Sequence, residues 1–185
     1  MRWLNASQDD AAREAPAARP QVHAALLRRI AGALESIRRR DQRCLLLRLQ
    51  LDGFDQLQDG TLLSAVSRVV AERLQRRVRA DELLARSALH EFTVVTRGID
   101  VFPPTAGASI AQRLVDGLAQ PCGVEGARVQ LGLRIGIASF PDDGRDAESL
   151  LLAASRALHG AHRAGEAWRF AARLPGKRDM VDDGD

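Results

Sequence analysis

An α+β fold of the ferredoxin-like or palm type, an antiparallel sheet with packed helices, follows from three features of this sequence. Apolar residues recur at helical spacing in four stretches and alternate in strand fashion between them. The elements run helix, then β-α-β-β-α-β, then helix and strand, an order that belongs to this sheet class. The 185 residues, 45% hydrophobic and 28% charged, suit one soluble domain with a proper core, and no internal repeat divides them.

Each element can be justified in turn. Residues 1–19 are polar and Ala/Pro-rich, lack an apolar period, and are expected to be a flexible N-terminal segment. The domain is expected over residues 20–172. It opens with an amphipathic helix carrying Val22, Leu26, Leu27, Ile30, Leu34 and Ile37. "CLLLRLQLD" then alternates: Leu45, Leu47, Leu49 and Leu51 point one way, and Leu46, Arg48, Gln50 and Asp52 the other. A second helix is expected from about Thr61 to Val78. "LLARSALHEFTVV" reads as a strand pair, and a third helix with Ile110, Leu114 and Leu118 follows "PPTAG". "QPCGVEGARV" is turn-rich, "LGLRIGIASF" is a strand, and "PDDGRD" is a turn before a fourth helix. Trp168 and Phe170 alternate with Arg169 on a last, edge strand, where core packing is expected. Residues 173–185 form a polar tail.

Composition narrows the function classes. No apolar run is long enough for a membrane span, and the first residues have no signal-peptide core, so a cytoplasmic protein without membrane insertion is expected. The net charge of +3 comes from arginines spread along the chain, with Lys177 the only lysine, which argues against nucleic acid. Cys44 and Cys122 sit in apolar surroundings without a CxxC partner and read as buried free thiols.

The strand pair raises the functional question. Its connection offers Ser87, Ala88, Leu89 and His90, followed by the acid Glu91, where a tight turn usually takes Gly, Asn or Asp. Around it, "LRLQLDGFDQLQD" is similar to the first-strand motif LDLDxFKxIND of the GGDEF family, the diguanylate cyclase domains of bacterial signalling. "RIGIASFPDDGRDAESLLLAASRALHGAHRAG" resembles that family's SIGIAxYPxDGxDxxxLLxxADxALYxAKxxG. The resemblance runs from about Asp10 to Ala172 and implies a GGDEF-like, nucleotidyl cyclase-type fold.

In this family two GTP molecules meet across a dimer of domains, and Mg²⁺ ions held by carboxylates stabilise the reacting oxygens. Here the first metal carboxylate falls on Gln50, a neutral amide. The signature GG[DE]EF falls on Ala88, Leu89, His90, Glu91 and Phe92. Leu89 puts a bulky side chain where glycine lets the backbone approach the nucleotide. His90 replaces a metal acid, and imidazole suits Mg²⁺ poorly. The guanine-reading Asn falls on Gln58 and a shortened loop ends on Leu63-Ser64. The family's phosphate-side Lys falls on His162, its Tyr on His159, and its N-terminal element is reduced to Asp10 and Pro16. The resemblance therefore implies a degenerate domain that is not an enzyme and has no catalytic residues, metal or cofactor.

A second family site is better preserved. Many members bind their product at an R-x-x-D motif assisted by an Arg on the following helix. Those positions fall on Arg79, Glu82 and Arg113, with Asp81 an alternative acceptor. Arginines grip phosphate or a guanine edge with paired donors, and a carboxylate accepts from guanine N–H groups. "RRVRADE" reads equally as a solvated, Arg-rich helix end. His159 and His162, three apart, lack a third metal ligand. Asp52 with Glu91 makes at most a minimal one-metal pair, and "PDDGRD" lacks calcium-loop spacing.

Three functions remain open: a non-catalytic regulatory domain binding cyclic di-GMP, a protein-interaction or dimerisation module, and a residual nucleotide cyclase. The family implies exopolysaccharide, pili or motility machinery as partners, and a homodimer. No sensor, anchor or phosphodiesterase domain is present, so the domain is expected to work within a longer protein or through a separate partner.

Overall fold

The computed structural model describes residues 19–54, 57, 59–100, 105–124 and 126–171. Helix α1 (Arg19–Arg39) leads into β1 (Cys44–Asp52), then α2 (Gly60–Gln75), β2 (Leu83–Ala88), β3 (Glu91–Val95) and α3 (Ala106–Gly117). The short strands β4 (Cys122–Val124) and β5 (Ala127–Val129) precede β6 (Gly132–Phe140), α4 (Ala147–Ala164) and β7 (Trp168–Phe170). One five-stranded sheet has the order β2-β3-β1-β6-β7, while β4 and β5 form a separate hairpin.

The leucines of β1 show why the sheet lies between two helical layers. On one face Leu45, Leu47, Leu49 and Leu51 pack with Val66, Val70 and Leu74 of α2 and with Ala111 and Leu114 of α3. On the other, Leu46 joins Leu26, Ile30, Leu34 and Ile37 of α1 and Leu150, Leu151 and Ala154 of α4. Each fully buried side chain of this size contributes about 1.5–3 kcal/mol of transfer free energy. A strand covered on both faces needs this nearly continuous apolar run. Further along β1, Arg48, Gln50 and Asp52 are half-buried, so the polar residues gather at one end of the strand.

Local chemistry fixes the helices. Asp59 caps α2, accepting from the backbone N–H groups of Thr61 (2.8 Å) and Leu62 (3.3 Å). Asp146 and Ser149 cap α4 reciprocally, and the backbone bond from Ser149 holds the Asp146 carboxyl below its usual range. Gly136 lets α4 sit directly on β6, since a Cβ there would lie 2.0 Å from the Ala154 carbonyl oxygen.

Several expectations change. The sheet is antiparallel except at its edge, where β7 runs parallel to β6. The turn-rich stretch contains the β4–β5 hairpin, and α2 ends at Gln75 rather than Val78. On β7, Trp168 packs against the α2/α3 core, but Phe170 is 43% exposed and stands at the sheet's margin. Both cysteines are free and buried as expected, and burial pushes the Cys44 thiol up to about 12.

Candidate functional site

The β2–β3 connection closes without glycine. Ala88 pairs with Glu91 across Leu89 and His90, and the register shifts between Arg86 and Ala88. Neither Leu89 nor His90 has positive φ; Asp41 is the only non-glycine that does among the described residues. The bulge re-aims the strand in place of a left-handed turn residue. Ser67 of α2 donates to the Leu89 carbonyl (2.6 Å), and the His90 carbonyl accepts from the backbone N–H of Leu51 (2.9 Å). Leu89 packs against the α2/α3 core, and the His90 ring lies 5.7 Å from Phe54. The loop is tied to both α2 and β1.

Strand register gathers the remaining polar groups. Gln50 stands opposite Glu91 on β3 and Arg134 on β6. The Glu91 carboxylate accepts from Arg48 at 2.5 Å and lies 3.4 Å from the Ser87 hydroxyl and 3.9 Å from His90 Nε2. Asp52 accepts from Arg134 at 2.5 Å, with His162 Nδ1 at 3.6 Å from its second oxygen. These ion pairs are three-quarters buried or nearly so, and each carboxylate already has a charge partner of its own.

The donor set does not fit the Mg²⁺ pair implied by the family resemblance. By that resemblance Gln50 and His90 fall on the two carboxylate positions, and the two nearby acids, Glu91 and Asp52, are each paired with a guanidinium group. Among the described residues, no three His, Cys, Asp or Glu side chains form a metal-binding group. His159 is exposed, and His162 is turned toward Asp52, so the two histidines share no metal arrangement. Ser64 donates to the Gly60 carbonyl within the first turn of α2 (3.0 Å). Gln58, Asp10 and Pro16 lie outside the described residues.

The second candidate cluster forms at the other end of the hairpin, where β2 begins. Glu82 turns back to accept from the backbone N–H of Arg79 (2.9 Å), and its second partner is Arg113 of α3 at 3.7 Å. The Glu82 side chain is only 4% exposed, so its carboxylate is held inward. The Arg79 side chain is exposed and in no ion pair among the described residues. Asp81 diverges from the cluster: it is exposed and faces Arg97 at 3.8 Å. The structure thus joins the Glu82 carboxylate to Arg113 and to the backbone of Arg79, and leaves Asp81 outside.

Sequence reasoning missed Arg48 and Arg134. The alternation puts Arg48 on the polar face of β1, but its partner Glu91 is 43 residues away, and Arg134 meets Asp52 across 82. Only the register of β1 with β3 and β6 brings them together. The available signal was the basic residue two before Gln50 on the same strand face.

Comparison with known proteins gives a consistent picture. The family model described as diguanylate cyclase, GGDEF domain, matches residues 22–167. An uncharacterized signaling protein of Caulobacter vibrioides is 34% identical over 159 residues, covering 83% of this chain and 19% of that protein. The bifunctional diguanylate cyclase/cyclic di-GMP phosphodiesterase MucR of Pseudomonas aeruginosa is 32% identical over 143 residues, covering 74% of this chain and 20% of its own length. The crystal structure of a sensory box/GGDEF family protein from Caulobacter crescentus superposes with a TM-score of 0.69 at 33% identity, covering 76% of this chain and 91% of that one. The chain thus spans about a fifth of the length of these curated relatives.

Proposed function

The chain belongs to the GGDEF family, and from that premise we propose that it is a non-catalytic regulatory domain of cyclic di-GMP signalling. The observation that carries this reading is the pairing of Glu91 with Arg48 and of Asp52 with Arg134. A cation that must recruit two carboxylates would first have to break both pairs, and the amide of Gln50 supplies no charge in return. With Leu89 packed where the family has glycine, the hairpin serves as scaffold.

The ligand of the proposal is cyclic di-GMP, held by Arg79, Glu82 and Arg113. Support comes from the approach of Glu82 and Arg113 across 31 positions of sequence, with the backbone N–H of Arg79 donating to Glu82 and its side chain exposed. Arg79 and Arg113 would hold phosphate or the guanine edge, and Glu82 would accept from guanine N–H groups. A cytoplasmic setting, a homodimer and an output on exopolysaccharide, pili or motility machinery belong to the same proposal.

One observation favours a second reading, a protein-interaction module without a nucleotide ligand. Glu82 is already satisfied by Arg79 N–H and Arg113, as a purely structural carboxylate would be. Calorimetric titration with cyclic di-GMP, and separately with GTP and Mg²⁺, decides between them. Binding of cyclic di-GMP that Arg79→Ala abolishes supports the receptor. Silence in both titrations supports the module. GTP turnover that disappears in Glu91→Gln would overturn the non-catalytic reading.

A further inference from the structure

Strand β7 ends the five-stranded sheet and is paired along one side only. On that side the Ile135 N–H donates to the Ala167 carbonyl (2.9 Å) and the Ala171 N–H to the Ile137 carbonyl (2.7 Å). Alternate residues of a parallel strand face its neighbour, so Arg169 shares this side and the backbone groups of Trp168 and Phe170 point away from β6. Those outward N–H and C=O groups meet no partner among the described residues. An edge left in this state accepts a further strand.

The side chains along the edge define what that strand has to carry. Phe170 and Trp168 lie on the α3 face: a Cβ on Gly107 would meet the Phe170 ring at 2.6 Å, and Trp168 packs against the α2/α3 core. Phe170 is nevertheless 43% exposed, so an apolar neighbour gains by covering it. Arg77 lines an open cleft with Trp168 and is in no ion pair among the described residues, so an acid is the matching side chain there. Arg169 lies on the other face, against Gly160 of α4, and donates to Glu166 at 2.8 and 2.9 Å.

The chain itself carries such a segment. Residues 172–185 follow β7 directly and lie outside the described residues. They contain Pro175-Gly176, a residue pair suited to the centre of a reversing turn. An antiparallel return centred on that pair sets Leu174 opposite Lys177. The same register sets Val181 opposite Phe170, Asp182 opposite Arg169, and Asp183 opposite Trp168 on the face that holds Arg77. One apolar residue thus meets the exposed ring, and two acids meet the two arginines.

We propose that residues 177–183 dock as a sixth strand on the free edge of β7, with Val181 on Phe170 and Asp183 facing Arg77. Docking there closes the edge to pairing with other chains. The proposal stands apart from the cyclic di-GMP reading, because it uses none of Arg79, Glu82 and Arg113.

The test is amide hydrogen exchange on the full chain, read by NMR at Trp168 and Phe170 over a range of protein concentrations. Both amides are expected to exchange about tenfold or more slowly than in Val181→Pro, which removes an N–H from the new ladder. Asp183→Arg is expected to reduce the protection, and Arg77→Asp in the same chain to restore it. Fast exchange of both amides in the unaltered protein overturns the proposal. Slow exchange that Val181→Pro leaves unchanged does the same. Protection that grows with protein concentration also overturns it, by assigning the edge to a second copy.

Discussion

The two ends of the β2–β3 hairpin both carry arginines and carboxylates, yet their charge balance differs. At the turn end Glu91 and Asp52 each face one guanidinium, Arg48 and Arg134. At the opposite end Glu82 meets Arg113 and Asp81 faces Arg97, while the exposed Arg79 side chain is in no ion pair among the described residues. The paired carboxylates at the turn end tie β1 to β3 and β6. The comparison teaches that strand register, more than residue type, decides which charges are paired.

The largest expected effect tests the balanced end. Arg48→Ala leaves Glu91 half-buried and without its cation, and should lower unfolding free energy by about 1–3 kcal/mol in urea titration. Arg79→Ala, at an exposed side chain, should stay within about 0.5 kcal/mol of the unmodified protein. Equal losses would erase the distinction between the ends. A smaller effect is expected from rebuilding the carboxylates: Gln50→Asp combined with Arg134→Gln should make the melting temperature rise when Mg²⁺ is added. A comparable rise in the unmodified protein would show that its ion pairs open readily to a metal.

The smallest effects concern pH, and they arise outside both clusters. Cys44 ionises near 9.0 when exposed, and burial raises it to about 12 in the fold. A raised pKa gives stability that is complete below the unfolded value and lost as pH climbs from about 9 towards 12. Asp146, lowered by its bonds from Ser149, and Glu166, lowered by Arg169, act in the opposite sense. Their contribution is present above the ordinary carboxylate range and fades as pH falls through their lowered values. Melting curves of Cys44→Ala and Asp146→Asn against pH separate the two limits: the first should flatten the alkaline decline and the second the acid one.

Much of the fold was legible because it is written in local periods. The alternation of β1 and the period of α4 each lie within one uninterrupted stretch of sequence. The β4–β5 hairpin was not legible, since strands of three residues are too short to establish a period among glycines. The parallel direction of β7 depends on the length of α4 and the turn after it, which no pattern within "WRF" reports. At the candidate site the departures of Gln50, Leu89 and His90 from the motif that the sequence resembles can be read directly from the sequence. The roles of Arg48 and Arg134 were not, because cross-strand pairing is set by register. Asp81 and Glu82 could be told apart only by the turn that points one inward and the other toward Arg97.

The central place of β1 has a consequence for the order in which the molecule assembles in time. Its contacts reach across 51 residues to Thr96 and across 82 to Arg134, while β2 and β3 meet over a two-residue connection. Closing a longer loop costs more chain entropy, so contacts between near neighbours form sooner. The β2–β3 pairing, closed over two residues, therefore carries the smaller chain-entropy cost. The short connection gives a kinetic reason to keep that hairpin intact whether or not the domain turns over nucleotide.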